Sequence, residues 1–154
     1  YLNKKTGRNM LLWNGTCIVH ETFSEKELVK LKVRKPSAKV IAHPECPESI
    51  LNHADFVGST SALLRFISSC SSQEFIVATE PHILHQMKKN EPEKKFLVAP
   101  GNDVECSCSN CPYMELNTLE KLRDCLTNSS PEIKIDRELV LNAKKPLISM
   151  LKLS

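Results

Sequence analysis

The sequence predicts an α/β fold: a mostly parallel sheet with helices on both faces, three layers in all. Three observations predict it. Strand-like runs at residues 39–42, 55–57, 74–78 and 95–99 alternate with helix-like stretches. The spacing of strand, helix and strand is that of right-handed βαβ units. The strand-like runs stop at polar, turn-forming segments, such as residues 43–47 and 58–61.

Taken in order, residues 10–13 read as strand-like and lead through Asn14-Gly15 into a second such run at 16–20. A helix follows with a capping box, Ser24 at the N-cap and Glu27 three residues on. Pro36 ends it. Residues 39–42 form a short buried strand, and a helix from about 48 to 53 comes next. The strand at 55–57 leads into a helix through 62–67. The strand at 74–78 leads into a helix that Thr79-Glu80-Pro81 opens, with Pro in the favoured first turn, running to about residue 89. After the strand at 95–99, a polar loop from 100 to 111 carries three cysteines. Thr118 caps a helix through 126. Residues 132–136 read as an edge strand and 137–143 as a helix. Lys145-Pro146 breaks the pattern before a last amphipathic segment at 147–153.

Composition narrows the function classes. Apolar residues make up 41% and charged residues 25%, ordinary for a soluble globular domain. The net charge of +3 is small, and Lys and Arg are interspersed with acids, as in residues 24–30, so no nucleic-acid surface is indicated. No run approaches the ~18 apolar residues of a membrane span, and the polar first residues show no signal peptide. The expected location is the cytoplasm. The start at Tyr1, within a strand-like passage, reads as a truncated one. Seven cysteines, an odd number without a secretion signal, point to metal ligands, catalytic groups or buried thiols and away from a disulfide framework.

In parallel α/β folds ligands bind beyond the carboxyl ends of the strands. His43-Pro44-Glu45 stands at one such end. Glu45 is suited to general-base work if partial burial raises its pKa, and His43 to donating a hydrogen bond or proton; the plainer alternative is a polar turn between Pro44 and Pro47. Gly58-Ser59-Thr60-Ser61 stands at another. Gly58 permits close backbone approach, and a helix N-terminus with hydroxyls suits a carboxylate or phosphate; simple capping by Ser59 or Thr60 is the alternative. Cys106, Cys108 and Cys111 place three thiols in six residues, a soft donor set for zinc or an iron–sulfur cluster. Zinc usually takes four ligands with paired spacing, and two of these thiols could instead pair under oxidation. Cys17 can meet that loop in space or serve as a core residue. His53, His82 and His85 read as helix positions without function, Met87, Met114 and Met150 as core filler, and Cys46, Cys70 and Cys125 as small buried residues.

Together and in order, these segments resemble quinolinate synthase. Residues 13–21 resemble the segment around that family's second cluster cysteine. His43-Pro44-Glu45-Cys46-Pro47 resembles its substrate-binding segment, and residues 54–61 and Thr79-Glu80 resemble further blocks. Cys111-Pro112-Tyr113-Met114, followed by Asn117-Thr118-Leu119, resembles the segment of the third cluster cysteine. The resemblance implies three similar α/β domains around a pseudo-threefold axis, here truncated. Residues 1–36 would end the second domain, 37–130 would form the third, and 131–154 would pack back on the missing one.

The same resemblance implies a [4Fe-4S] cluster held by one cysteine from each domain, Cys17 and Cys111 in this chain. It implies condensation of iminosuccinate (iminoaspartate) with dihydroxyacetone phosphate to quinolinate in NAD biosynthesis. Glu45 would do acid/base work, His43 would hold substrate beside Pro44, and Thr60, with Ser59, would grip a carboxylate. An L-aspartate oxidase or dehydrogenase would supply substrate, with no nucleic acid or membrane as partner. The missing N-terminal domain would be needed, so the chain alone is expected to be inactive. Many relatives carry Cys-x-x-Cys-x-x-Cys where this chain begins Cys-x-Cys, which leaves Cys106 and Cys108 as candidate redox partners. Two competing expectations are a structural zinc module on Cys106, Cys108, Cys111 and one more ligand, and a non-catalytic remnant of the enzyme.

Overall fold

The computed structural model describes residues 1–101 and 110–153. Cys106 and Cys108, with the zinc-module and redox expectations built on them, lie outside the described residues. The chain forms two compact units, Tyr1–Glu115 and Leu116–Ser154. The first contains α1 (Leu2–Thr6), α2 (Ile18–Glu21), α3 (Glu25–Arg34), β1 (Lys39–Ala42), α4 (Glu48–Leu51) and β2 (Phe56–Val57). It continues with α5 (Thr60–Ser69), β3 (Glu74–Ala78), α6 (Ile83–Asn90) and β4 (Lys95–Val98). The second contains α7 (Leu119–Asn128) and α8 (Arg137–Lys152).

The four strands form one parallel sheet in the order β2-β1-β3-β4, so the expected α/β class holds. Side chains alternate across a strand, and the sequence supplies apolar residues at both parities. Val40, Ala42, Ile76 and Ala78 face one side, where Leu28 of α3 and Ile50 of α4 pack. Ile41, Phe75 and Val77 face the other, against Leu63 and Ile67 of α5 and Met87 of α6. Strands covered on both faces must be apolar throughout, and each of these large side chains contributes about 1.5–3 kcal/mol by leaving water.

Several expectations are corrected. Residues 10–13 form no strand; Leu11, Leu12 and Trp13 are exposed and pair with no ladder. Residues 18–20 turn into the short helix α2, closed by the Glu21 N–H on the Cys17 carbonyl at 3.1 Å. Ser24 occupies the N-cap of α3, but its side chain makes no capping hydrogen bond, and Glu27 pairs with Lys30 at 2.7 Å. Residues 132–136 are not a strand. They lead to Asp136, whose Oδ1 accepts the Glu138 and Leu139 N–H groups at 2.9 and 3.0 Å and starts α8. That helix runs through Pro146 and does not break there. Cys46 and Met87 are buried as expected. Cys70 is half-buried, and Cys125, Met114 and Met150 are exposed. Among the described residues no helix is long and apolar enough to cross a membrane.

Candidate active site and metal centre

Parallel strands in register bring their carboxyl ends to one rim. Ala42 stands between Val57 and Ala78. The pattern carries on for one residue: the Gly58 N–H donates to the Ala42 carbonyl at 3.1 Å and the His43 N–H to the Ala78 carbonyl at 3.0 Å. Residues 43, 58 and 79 therefore leave the sheet side by side. Above them α2 is tied in by its C-terminal flank. Phe23 bridges Gly101, and the Ser24 N–H donates to the Pro100 carbonyl at 2.9 Å. The buried side chains of Val19 and Phe23 anchor this segment.

Between α2 and the rim lies a cavity of about 470 Å³. Cys17 and His20 line it from α2, His43 and Glu45 from the end of β1, and Thr60 from α5. Thr79, Glu80 and His82 line it from the end of β3, with Cys111 beyond.

His20 is the most constrained of these groups, only 5% exposed. Its Nε2 lies 3.2 Å from the Thr79 hydroxyl. Its ring stacks on His43 with centroids 4.8 Å apart and planes inclined by 18°. Its Nδ1 lies 3.3 Å from Glu45 Oε2, off the line of a hydrogen bond. Nδ1 is thus the one buried side-chain nitrogen or oxygen without a hydrogen-bond partner among the described residues. Burial, and then the neighbouring His43, hold the His20 pKa below its ordinary value against the opposing pull of Glu45 and Glu80. Burial thus favours the neutral imidazole, which has a lone pair to offer.

Glu45 Oε2 is also 3.7 Å from His43 Nδ1. The Glu45 side chain is 57% exposed. Glu80 is better enclosed. Its carboxylate accepts the His82 N–H at 2.9 Å and the Cys111 N–H at 3.5 Å and pairs with the His82 ring. That hydrogen bond, and then the charge of Glu80, raise the His82 pKa. Glu80 thereby joins the end of β3 to the segment of Cys111.

Of the residues singled out in the sequence, Cys17, His43, Glu45, Thr60 and Cys111 share this cavity. Pro44 does not; it lines a separate cavity of about 410 Å³ with Lys4 and Asn52. Ser59 caps α5, its Oγ accepting the Ala62 N–H at 3.4 Å. Gly58 is explained by packing: a Cβ there would stand 2.9 Å from both Ala62 Cβ and the Phe56 ring. The sequence alone assigns no role of their own to His20, Glu80 and His82. The three-residue step from Cys17 to His20 puts both side chains on one face only because the segment is helical; read as strand, it puts them on opposite faces.

The Cys17 sulfur, a His20 ring nitrogen and a Glu45 oxygen lie within 4.8 Å of one another. Thiol, imidazole and carboxylate together suit a borderline divalent metal. Burial pushes the Cys46 thiol up to about 12, and it donates to the Ala78 carbonyl, which removes it from the donor set.

The family model described as "Quinolinate synthetase A protein" matches residues 1–152. Quinolinate synthases from Microcystis aeruginosa and Chloroherpeton thalassium are each 53% identical over all 154 residues, and that from Thermosynechococcus vestitus is 51% identical. The match covers 48% of each of these three relatives, so the chain spans about half the length of the curated relatives it matches. A match over nearly every residue at this identity places the chain in the quinolinate synthetase A protein family.

Proposed function

We propose that this chain is the part of a quinolinate synthase that carries two cluster ligands and the carboxylate-binding wall. The whole enzyme would condense iminosuccinate with dihydroxyacetone phosphate to quinolinate, a step toward NAD. The observation that carries this reading is one cavity shared by Cys17 and Cys111, 94 positions apart by their numbers, with His43, Glu45 and Thr60. The expected division at residues 36/37 and 130/131 belongs to the same reading, as do an aspartate-oxidising enzyme as supplier and a cytoplasmic location.

The donor chemistry fits a [4Fe-4S] cluster. Two soft thiols, Cys17 and Cys111, line one cavity. Cys17 and Cys111 would hold the cluster, with a third ligand supplied from outside this chain. When bound, it supplies an iron with an open position that acts as a Lewis acid toward a substrate oxygen.

The remaining chemistry falls to the chain's own side chains. Thr60, at the start of α5, offers its hydroxyl and a free backbone N–H to a substrate carboxylate, where the helix dipole favours negative charge. Glu45 takes a proton at its exposed carboxylate and returns it. His43 lies beside it and orients substrate, and its stacking on His20 restricts both rings. In a whole enzyme, residues outside this chain would cover Glu45 and exclude water.

Anaerobic reconstitution with iron and sulfide tests this reading, using the chain together with the N-terminal half of a relative. The expected result is near-stoichiometric cluster, lost in Cys17→Ala and in Cys111→Ala. A colourless protein in every combination would reject it.

A further inference from the structure

The cluster reading leaves His20 unused as a ligand, yet the structure places an unpartnered nitrogen of that buried ring against a carboxylate and a thiol. We propose that Cys17, His20 and Glu45 form a mononuclear site for a zinc-class divalent ion in the protein without its cluster. This site rests on geometry alone, and only its competition with the cluster rests on the reading above.

Three features carry the assignment. The donor atoms already lie within 4.8 Å of one another. Zinc bonds of about 2.0–2.3 Å separate tetrahedral ligand atoms by roughly 3.3–3.8 Å, and the pair of His20 Nδ1 with Glu45 Oε2 at 3.3 Å already meets that spacing. The exposed Glu45 side chain and half-buried Cys17 have room to close the rest. Next, His20 is fixed as a metal-bound imidazole requires. Its Nε2 faces the Thr79 hydroxyl, its ring is held by His43, and Nδ1 is left facing Glu45. A hydrogen bond at the far nitrogen is the usual support for a ligating histidine. Finally, three protein donors leave a fourth position toward the cavity, the pattern of an open zinc site. Zinc and cobalt stand above iron(II) in affinity for such a mixed N, O and S set.

The two occupants use different residues. The cluster needs Cys17 and Cys111, whereas the single ion needs Cys17, His20 and Glu45. A chain that has taken up zinc would therefore have Cys17 blocked against iron and sulfide.

The test uses the reduced 154-residue chain under anaerobic conditions. Zn²⁺ is titrated against a chromophoric chelator, and Co²⁺ is followed by its thiolate charge-transfer and ligand-field absorption. One ion per chain is expected, with a tetrahedral cobalt spectrum showing one thiolate. Cys17→Ser, His20→Ala and Glu45→Gln should each weaken binding by about tenfold or more, and Cys111→Ser should leave it unchanged. Circular dichroism of each variant separates lost binding from lost fold, and Glu45→Gln, at an exposed side chain, is the variant least exposed to that ambiguity. Binding that vanishes in Cys111→Ser but survives His20→Ala and Glu45→Gln would overturn the site, as would no stoichiometric binding by the parent chain. Iron–sulfide uptake by His20→Ala, measured together with the N-terminal half of a relative, gives the separate readout. A failure there counts against the cluster reading, while the zinc titration of the parent chain decides this one.

Discussion

At the scale of single residues, Asp55 shows how one side chain locks an edge of the sheet. Its Oδ2 accepts the Val40 N–H at 2.8 Å, its Oδ1 accepts the Lys39 ammonium at 2.9 Å, and its own N–H donates to the Val40 carbonyl. Burial pushes its pKa up, but the Val40 N–H and Lys39 outweigh that and the net shift is downward from 3.8. A carboxylate held below its unfolded value contributes stability above that value and loses it as pH falls through the folded one. Asp55→Asn should therefore flatten the acid side of a urea-midpoint profile below about pH 4. Asp55→Ala, which strands the Val40 N–H, should cost about 1–3 kcal/mol near neutral pH in urea unfolding. At the site, Glu45→Gln in the complete enzyme should lower kcat by about 10²–10⁴ if Glu45 transfers the proton, with KM nearly unchanged; a change confined to KM would assign it to binding. Glu45 and His43 were legible as a pair because they follow a recognisable buried strand. His20 was not, since its importance depends on a short helix that folds it back onto the rim, and residues 16–20 carry β-branched side chains that read as strand.

At the scale of elements, buried strands and capped helices were the legible parts. Residues 40–42 and 75–78 are apolar because both faces of these strands are covered. Ser59 and Thr118 were readable caps, and each accepts the N–H three residues on, from Ala62 and Lys121. Ser59→Ala should cost about 0.5–2 kcal/mol in thermal or urea unfolding without moving the cavity residues. The misread elements share one cause. Residues 10–13 and 132–136 have strand-like composition, but a strand exists only with a partner, and neither pairs in the four-stranded sheet. Pro146 was expected to stop a helix, yet α8 runs on from the strong Asp136 cap through Lys152. Pro146 removes a helical N–H, and its ring crowds the carbonyl of Asn142 four residues back. Pro146→Ala should thus raise the helical circular dichroism signal and stabilise α8 by up to ~3 kcal/mol. An unchanged spectrum with an unchanged melting profile would show that the helix end beyond 146 frays in solution.

At the scale of the whole molecule, the core and the rest of the chain are separable in sequence. Every buried apolar side chain among the described residues lies between Val19 and Ala99. The sheet, both core clusters and the candidate site all fall within Tyr1–Glu115. By contrast, Leu116, Leu119, Leu122 and Leu126 are exposed, as are Leu139, Ile148 and Leu151. Stability follows buried apolar area, so the first unit should account for the cooperative transition of the chain. A chain ending at Glu115 should lose the circular dichroism contribution of α7 and α8 but melt within about 5 °C of the parent, since a shift of that size corresponds to about 1 kcal/mol in a domain of this length. The same truncation should lower binding of a hydrophobic dye, because the removed residues carry much of the exposed apolar surface. A Leu63→Ala substitution provides the internal control. It opens a cavity in the core and should cost about 2–5 kcal/mol in the long and the short chain alike. If the shortened chain instead loses cooperativity, residues 116–154 contribute to the core in solution, and the unit boundary at Glu115 would not be an energetic one.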